Sequence, residues 1–104
     1  MGMISKVLSL SADSKGHRQL LYWCPGCECA HEVAIDAPNN CGAKWTWNND
    51  RDKPTFSPSV HVNANNTDPR FDKCHHFVVD GNIQFLGDCT HALAGQTVPM
   101  EGWD

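Results

Sequence analysis

The feature that most constrains this chain is a pair of cysteines separated by two turn-forming residues, in the run WCPGC at residues 23–27. Pro25 and Gly26 favour a tight turn, which brings the two thiols close enough to bind one metal ion. Two ligands do not complete a tetrahedral site, so the others must come from elsewhere in the chain. The runs CHH at 74–76 and CTH at 89–91 can supply them. The sequence therefore predicts a small domain that is held together by zinc.

The composition explains why a domain of this kind needs such a staple. Leucine, isoleucine, valine and phenylalanine together account for 20 of the 104 residues, which is little material for a hydrophobic core. The net charge of -4 gives no sign of a basic surface for phosphates. We therefore predict one zinc-binding domain over residues 1–104, with no nucleic-acid partner.

The N-terminal segment bears on the redox state of the cysteines. Its short apolar run is interrupted by serines, which makes a poor signal peptide. No apolar stretch approaches the roughly 20 residues that a bilayer-spanning helix needs. We expect a cytoplasmic protein without a membrane partner, and reduced cysteines clustered with histidines then favour metal over disulfides.

Apolar alternation and turn residues predict a mainly β fold with small α content, built from β-hairpins. Strands are predicted at 3–10, 18–23, 30–36, 43–48, 60–62, 75–79 and 83–86. Residues 53–58 contain two prolines and are predicted as an extended edge or loop, and 63–70 as a flexible loop. A single helical turn is possible at 91–94. The cysteine pair should close one hairpin, and Asp80-Gly81-Asn82 should close another.

The second hairpin predicts how the later metal ligands meet. Its turn at 80–82 makes Cys74 a neighbour of residues 87–89, so a four-ligand site can form between the two hairpins. Our first choice of ligands is Cys24, Cys27, Cys74 and Cys89, with His75 or His91 as a replacement for one cysteine. A closed site of this kind is structural and contributes to folding. Neighbours on a strand point to opposite faces, so Cys74 and His75 should not reach the same ion.

The excess of donors leaves a catalytic alternative open. A zinc site with three protein ligands and an open position, with Asp88 or Glu32 as a base, would make a hydrolase acting on protein or peptide substrates. We favour the alternative in which the spare histidines hydrogen-bond to the ligands. A redox role for the cysteine pair is disfavoured because strand-like residues, rather than a helix, follow it. The runs WTWNND at 45–50 and PTFSPS at 54–59 form a recognition surface or cover the core.

Five motifs occur in a fixed order: WCPGC, WxWN, PTFSPS, CHxF and IQFLGDCTHALAGQTV. Between about Tyr22 and Trp103 the chain thereby resembles a family of small proteins common in tailed phages and prophages, often labelled "ammonia monooxygenase". We reject that label as a function, because thiolate-rich donors suit zinc and the chain lacks a membrane segment.

The same resemblance implies a biological setting. Relatives lie beside bacterial ubiquitin-like conjugation genes, which implies a link to defence or counter-defence. We therefore expect a phage accessory protein that binds a host protein in the host cytoplasm, with the small zinc hydrolase as the alternative.

Overall fold

The computed structural model describes residues 2–39, 42–62 and 73–102. These residues form strands and turns and contain no helix, which confirms the mainly β prediction. They accordingly contain no helix that could cross a bilayer. The predicted helical turn at 91–94 is a set of turns instead, with Ala94 N donating to His91 O at 3.3 Å. Cys41, one of the six cysteines of the chain, and the loop predicted at 63–70 lie outside the described residues.

The described strands form two antiparallel sheets in which neighbours follow the order of the chain. The first sheet contains β1 (Gly2–Met3), β2 (Ser9–Ala12), β3 (Arg18–Cys24) and β4 (Cys29–Ala34). The second contains β5 (Thr46–Trp47), β6 (Phe56–Val62), β7 (Cys74–Val79), β8 (Asn82–Phe85) and β9 (Thr97–Pro99). Because the order is sequential, each hairpin forms from local contacts, and the core forms where the two sheets meet.

The core is built from alternate residues of the strands. On β3 the buried residues include Leu20 and Tyr22, and on β7 they include His76 and Val78. The Tyr22 ring lies 5.8 Å from the Phe56 ring of the other sheet. The alternation on β7 therefore turns its even-numbered residues inward and its odd-numbered residues toward solvent.

The prediction of one strand over residues 3–10 is wrong, because the chain folds back between β1 and β2. The Ser5 hydroxyl accepts hydrogen bonds from the Val7 and Leu8 amides at 3.2 and 3.1 Å. Ile4 N donates to Leu8 O at 3.0 Å. A serine side chain can offer the backbone local bonds that compete with an extended strand, and here those bonds close a turn.

Both predicted hairpins are confirmed. β3 pairs with β4 across the cysteine turn, with Cys24 opposite Cys29. β7 pairs with β8 around Asp80 and Gly81, whose φ angles are 49° and 77°. Two consecutive positive φ angles are what the two-residue turn of a tight hairpin requires, and they set the register of β7 against β8.

The prediction of an edge or loop at 53–58 is wrong for its later residues, because β6 lies between β5 and β7. Phe56 pairs with Val78 and Val60 pairs with His76, with an irregular register between them. Between these two pairs, β6 has three residues where β7 has one, so β6 carries a bulge that includes Pro58. A bulge leaves residues outside the hydrogen-bonded ladder, which is where a proline is tolerated.

Candidate metal centre and candidate active site

Four sulfur and nitrogen donors converge where the two sheets meet. Ligand atoms of Cys24, Cys27, Cys74 and His91 all lie within 4.8 Å of one another, and all but Cys27 are buried. The Sγ atom of Cys74 is 3.9 Å from that of Cys24 and 3.3 Å from His91 Nε2. Cys24 ends β3 of the first sheet, Cys27 lies in the turn that follows it, and Cys74 begins β7 of the second sheet. The cluster could therefore hold a metal ion that ties the two sheets together.

The CPGC turn shapes this cluster in two ways. The Cys27 amide donates to Cys24 Sγ at 3.4 Å, which favours a thiolate on Cys24. A Cβ atom at Gly26 would lie 2.3 to 2.6 Å from atoms of the His91 ring. The glycine therefore leaves the space into which His91 packs.

The electrostatics of the thiols indicate what the cluster needs. A hydrogen bond from Cys74 lowers the pKa of Cys24 to about 3. The same bond raises the pKa of Cys74 far above its usual value. Burial, followed by the charge on Cys24, raises the pKa of Cys27 to about 12. The protein groups thus favour one thiolate, and a bound cation would favour the deprotonated form of the others as well.

A further histidine supports the cluster from inside the core. His76 lies with Nδ1 3.2 Å from Cys74 Sγ and Nε2 2.6 Å from the Tyr22 hydroxyl. Burial lowers the pKa of His76 to about 4, so the ring is neutral near pH 7. This is the arrangement that we favoured for a spare histidine, which orients a ligand through a hydrogen bond.

The two other predicted ligands, Cys89 and His75, lie outside this group of four. The Sγ atom of Cys89 is 3.2 Å from both the amide nitrogen and the carbonyl oxygen of His75, so it ties the loop after β8 to β7. The His75 side chain lies on the opposite face of β7 from Cys74, as strand alternation predicts. Metal ligation by Cys89 or His75 stays a prediction.

On the outer face, His75 joins a second polar cluster. Its Nε2 atom is 3.0 Å from Ser59 Oγ, and its Nδ1 atom is 3.0 Å from Asp88 Oδ2. The hydrogen bond with His75 lowers the pKa of Asp88, so this carboxyl is ionised near neutral pH. A hydroxyl, an imidazole and a carboxylate are therefore connected in series.

The bulge in β6 places the serine of this series. Ser59 lies between the two regular parts of the ladder, and its carbonyl oxygen accepts a hydrogen bond from Trp45 Nε1 at 3.3 Å. Trp45 belongs to the core, as one of our two interpretations of the tryptophan run predicted. Because bulges redirect side chains, this one turns Ser59 toward His75.

This arrangement has the chemical parts of an activated nucleophile. A serine hydroxyl within hydrogen-bond reach of a histidine, itself oriented by an aspartate, can attack a carbonyl carbon. In the sequence, Ser59 stands out only as part of PTFSPS, His75 as a candidate ligand, and Asp88 as a candidate base for a zinc enzyme. Three of the five sequence motifs each contain one of these three residues. A search of the motifs for a serine, a histidine and an aspartate could therefore have found the set.

The family model that matches the chain is described as Bacterial ubiquitination-like system serine protease (BubE), and it covers residues 2–86. No curated protein and no solved structure matches the chain. The matched region includes Ser59, His75 and three cysteines of the metal cluster, and it ends just before Asp88. Because the match covers most of the chain, the chain belongs to the BubE family.

Proposed function

We propose that this protein is a serine peptidase of a bacterial ubiquitination-like system, with Ser59 as nucleophile, His75 as general base and Asp88 as the orienting carboxylate. The observation that carries this proposal is the series of two hydrogen bonds, each 3.0 Å long, that joins the three side chains. The description of the family as a serine protease supports the same reaction.

Each residue has a defined part in the reaction. Ser59 Oγ bonds to the carbonyl carbon of the substrate while its proton passes to His75 Nε2. When the C–N bond breaks, His75 gives that proton to the departing amine, and an acyl group remains on Ser59. Water then attacks the acyl group, with His75 again accepting the proton. Asp88 accepts a hydrogen bond from the Nδ1–H group of His75. This keeps the proton on Nδ1, so the lone pair of Nε2 faces Ser59.

The site lies on an open sheet surface, which suits a polypeptide substrate. Ser59 and His75 are half-buried, and the Asp88 side chain is 55% exposed. Phe77 and Val79 follow His75 on the same face of β7 and are also exposed. They offer an apolar surface beside the nucleophile, against which side chains flanking a scissile bond can pack.

We propose zinc as the ion of the inner cluster, in a structural role. Three thiolates and one imidazole are a usual ligand set for structural zinc. The alternative zinc hydrolase would need the ion beside the reacting groups. Here Ser59, His75 and Asp88, which we call the triad, lie on the opposite face of β7 from the metal cluster. This separation favours serine chemistry over zinc chemistry. A phage origin and a host-protein partner stay predictions from the sequence resemblance.

Labelling with an alkyl fluorophosphonate tests the nucleophile, because this reagent phosphonylates activated serines. We expect one label per chain, located on Ser59 by mass spectrometry, and its loss in Ser59→Ala. Ser57→Ala is the matched control, since Ser57 lies two residues away on the same strand and is exposed. It should label like the unchanged protein.

Peptide cleavage completes the test. Asp88→Asn should lower the rate by roughly 10⁴-fold, because the amide favours the wrong histidine tautomer. An unlabelled native protein, or equal labelling of Ser59→Ala, would disprove the nucleophile. If Ser59→Ala with its metal bound still cleaves peptides at the native rate, the zinc hydrolase is the correct alternative.

A further inference from the structure

We propose that His61, His75 and Asp88 form a second metal site, at which a zinc ion inhibits the peptidase by binding its general base. The inhibitory role rests on the proposed function, whereas the metal site itself rests on geometry alone. His61 has no part in the serine chemistry described above, and it is the residue that turns a catalytic pair into a three-donor cluster.

The β6–β7 ladder brings the three donors together. His61 pairs directly with His75, and their rings are stacked with centroids 4.1 Å apart and planes 11° from parallel. Asp88 contacts the same histidine from the loop after β8. One ligand atom from each of the three residues lies within 4.8 Å of the other two.

The donor set determines which ion fits. Two imidazoles and one carboxylate suit Zn²⁺, and water can take the fourth position of a tetrahedral site. Bonds of about 2.0–2.1 Å place tetrahedral ligands roughly 3.3 Å apart, so the donors must close in slightly. His61 is exposed and can rotate to meet the ion. Without thiolates, this outer site should bind zinc more weakly than the inner cluster and fill after it.

Either nitrogen of His75 would inactivate the enzyme on binding the ion. At Nε2, the metal takes the lone pair that accepts the proton of Ser59. At Nδ1, the metal displaces the ring proton to Nε2, where a protonated nitrogen faces the serine and cannot act as a base. In both cases no general base remains for Ser59.

Zinc binding can be measured without relying on catalysis. Ser59→Ala protein carrying one equivalent of zinc is titrated with further Zn²⁺ in a calorimeter. We expect a second, weaker equivalent, with an affinity at least roughly 10-fold lower in Ser59→Ala/His61→Ala. His17→Ala is the matched control, because His17 forms an exposed pair with Asp13 that belongs to no three-donor group among the described residues.

Inhibition is then measured on the protein with Ser59 intact, as the loss of peptide cleavage with added Zn²⁺. Each variant is compared with its own rate in the absence of added zinc. His61→Ala should need roughly 10-fold more Zn²⁺ for half-inhibition than the native protein or His17→Ala. Addition of a chelator in an amount that removes only the second equivalent should restore the rate.

The outcomes separate this proposal from the proposed function. If no second zinc ion binds, or if it binds with the same affinity in the His61→Ala variant, the outer site is overturned even if the protein is a peptidase. A second equivalent that fills without reducing cleavage overturns the inhibitory role. If zinc binds through His61 in a protein that neither cleaves peptides nor labels at Ser59, the site stands and the peptidase proposal fails.

Discussion

Gly26 shows how a single missing side chain shapes the metal cluster. The His91 ring occupies the space into which a Cβ at this position would extend, at distances of 2.3 to 2.6 Å. Such distances are far below ordinary contact, so either the turn or the ring must move if the residue is enlarged. The glycine of CPGC therefore makes room for a candidate ligand 65 positions later in the chain.

Gly26→Ala should weaken metal binding by roughly 10-fold or more, because it displaces His91 from the other donors. Competition with a chromophoric chelator measures the affinity. Gly87→Ala is the control, since a Cβ at Gly87 meets nothing within 4 Å. Equal zinc affinity in the two variants would mean that His91 does not bind the metal.

At the scale of single elements, β7 connects the two clusters. Its inward residues Cys74 and His76 lie in the candidate metal cluster, while His75 between them lies in the proposed triad. A shift of register by one residue would exchange these faces and remove both sites. The turn at Asp80-Gly81 opposes such a shift, because its positive φ angles fix how β7 and β8 align.

Gly81→Ala should destabilise the fold by more than about 1–2 kcal/mol, the cost of a left-handed conformation at a non-glycine residue. The excess comes from a Cβ that would lie 3.1 Å from Lys53 Cα. Gly16→Ala separates the two effects, since Gly16 has φ of 81° and open space around it. Chemical denaturation of both variants gives the difference. An equal loss in the two would show that the contact with Lys53 has no cost.

For the whole molecule, the candidate metal cluster lies where the two sheets meet over a thin core. Cys24 and Cys27 close the hairpin of the first sheet, while Cys74 and His91 come from the second half of the chain. Zinc binding in small domains contributes on the order of 10 kcal/mol, which is comparable to the entire stability of a folded domain. We therefore expect metal binding and folding to be one event.

Cys24→Ser should lose metal and cooperative folding together, as measured by elemental analysis and circular dichroism. Cys29→Ser is the control, because Cys29 lies opposite Cys24 in the same hairpin but is exposed. It should keep one zinc per chain. Cys89→Ser tests the predicted ligation by Cys89: loss of the zinc would support it, whereas retained zinc would leave Cys89 only its hydrogen bonds to the His75 backbone. A folded, metal-free Cys24→Ser protein would contradict a structural role for the ion.

Local chemistry explains which features of this protein follow from its sequence alone. Strand alternation, the CPGC turn and the Asp80-Gly81 turn act over a few residues, so they specify the two hairpins and the opposite directions of Cys74 and His75. The supply of thiols and imidazoles also indicates a metal. The grouping of His91 with the three cysteines depends on how two sheets pack and on the space above Gly26. The triad depends on a bulge that turns Ser59 toward His75, and on a loop that Cys89 holds in place. Such contacts join segments far apart in the chain, and their geometry exists only once the sheets have docked.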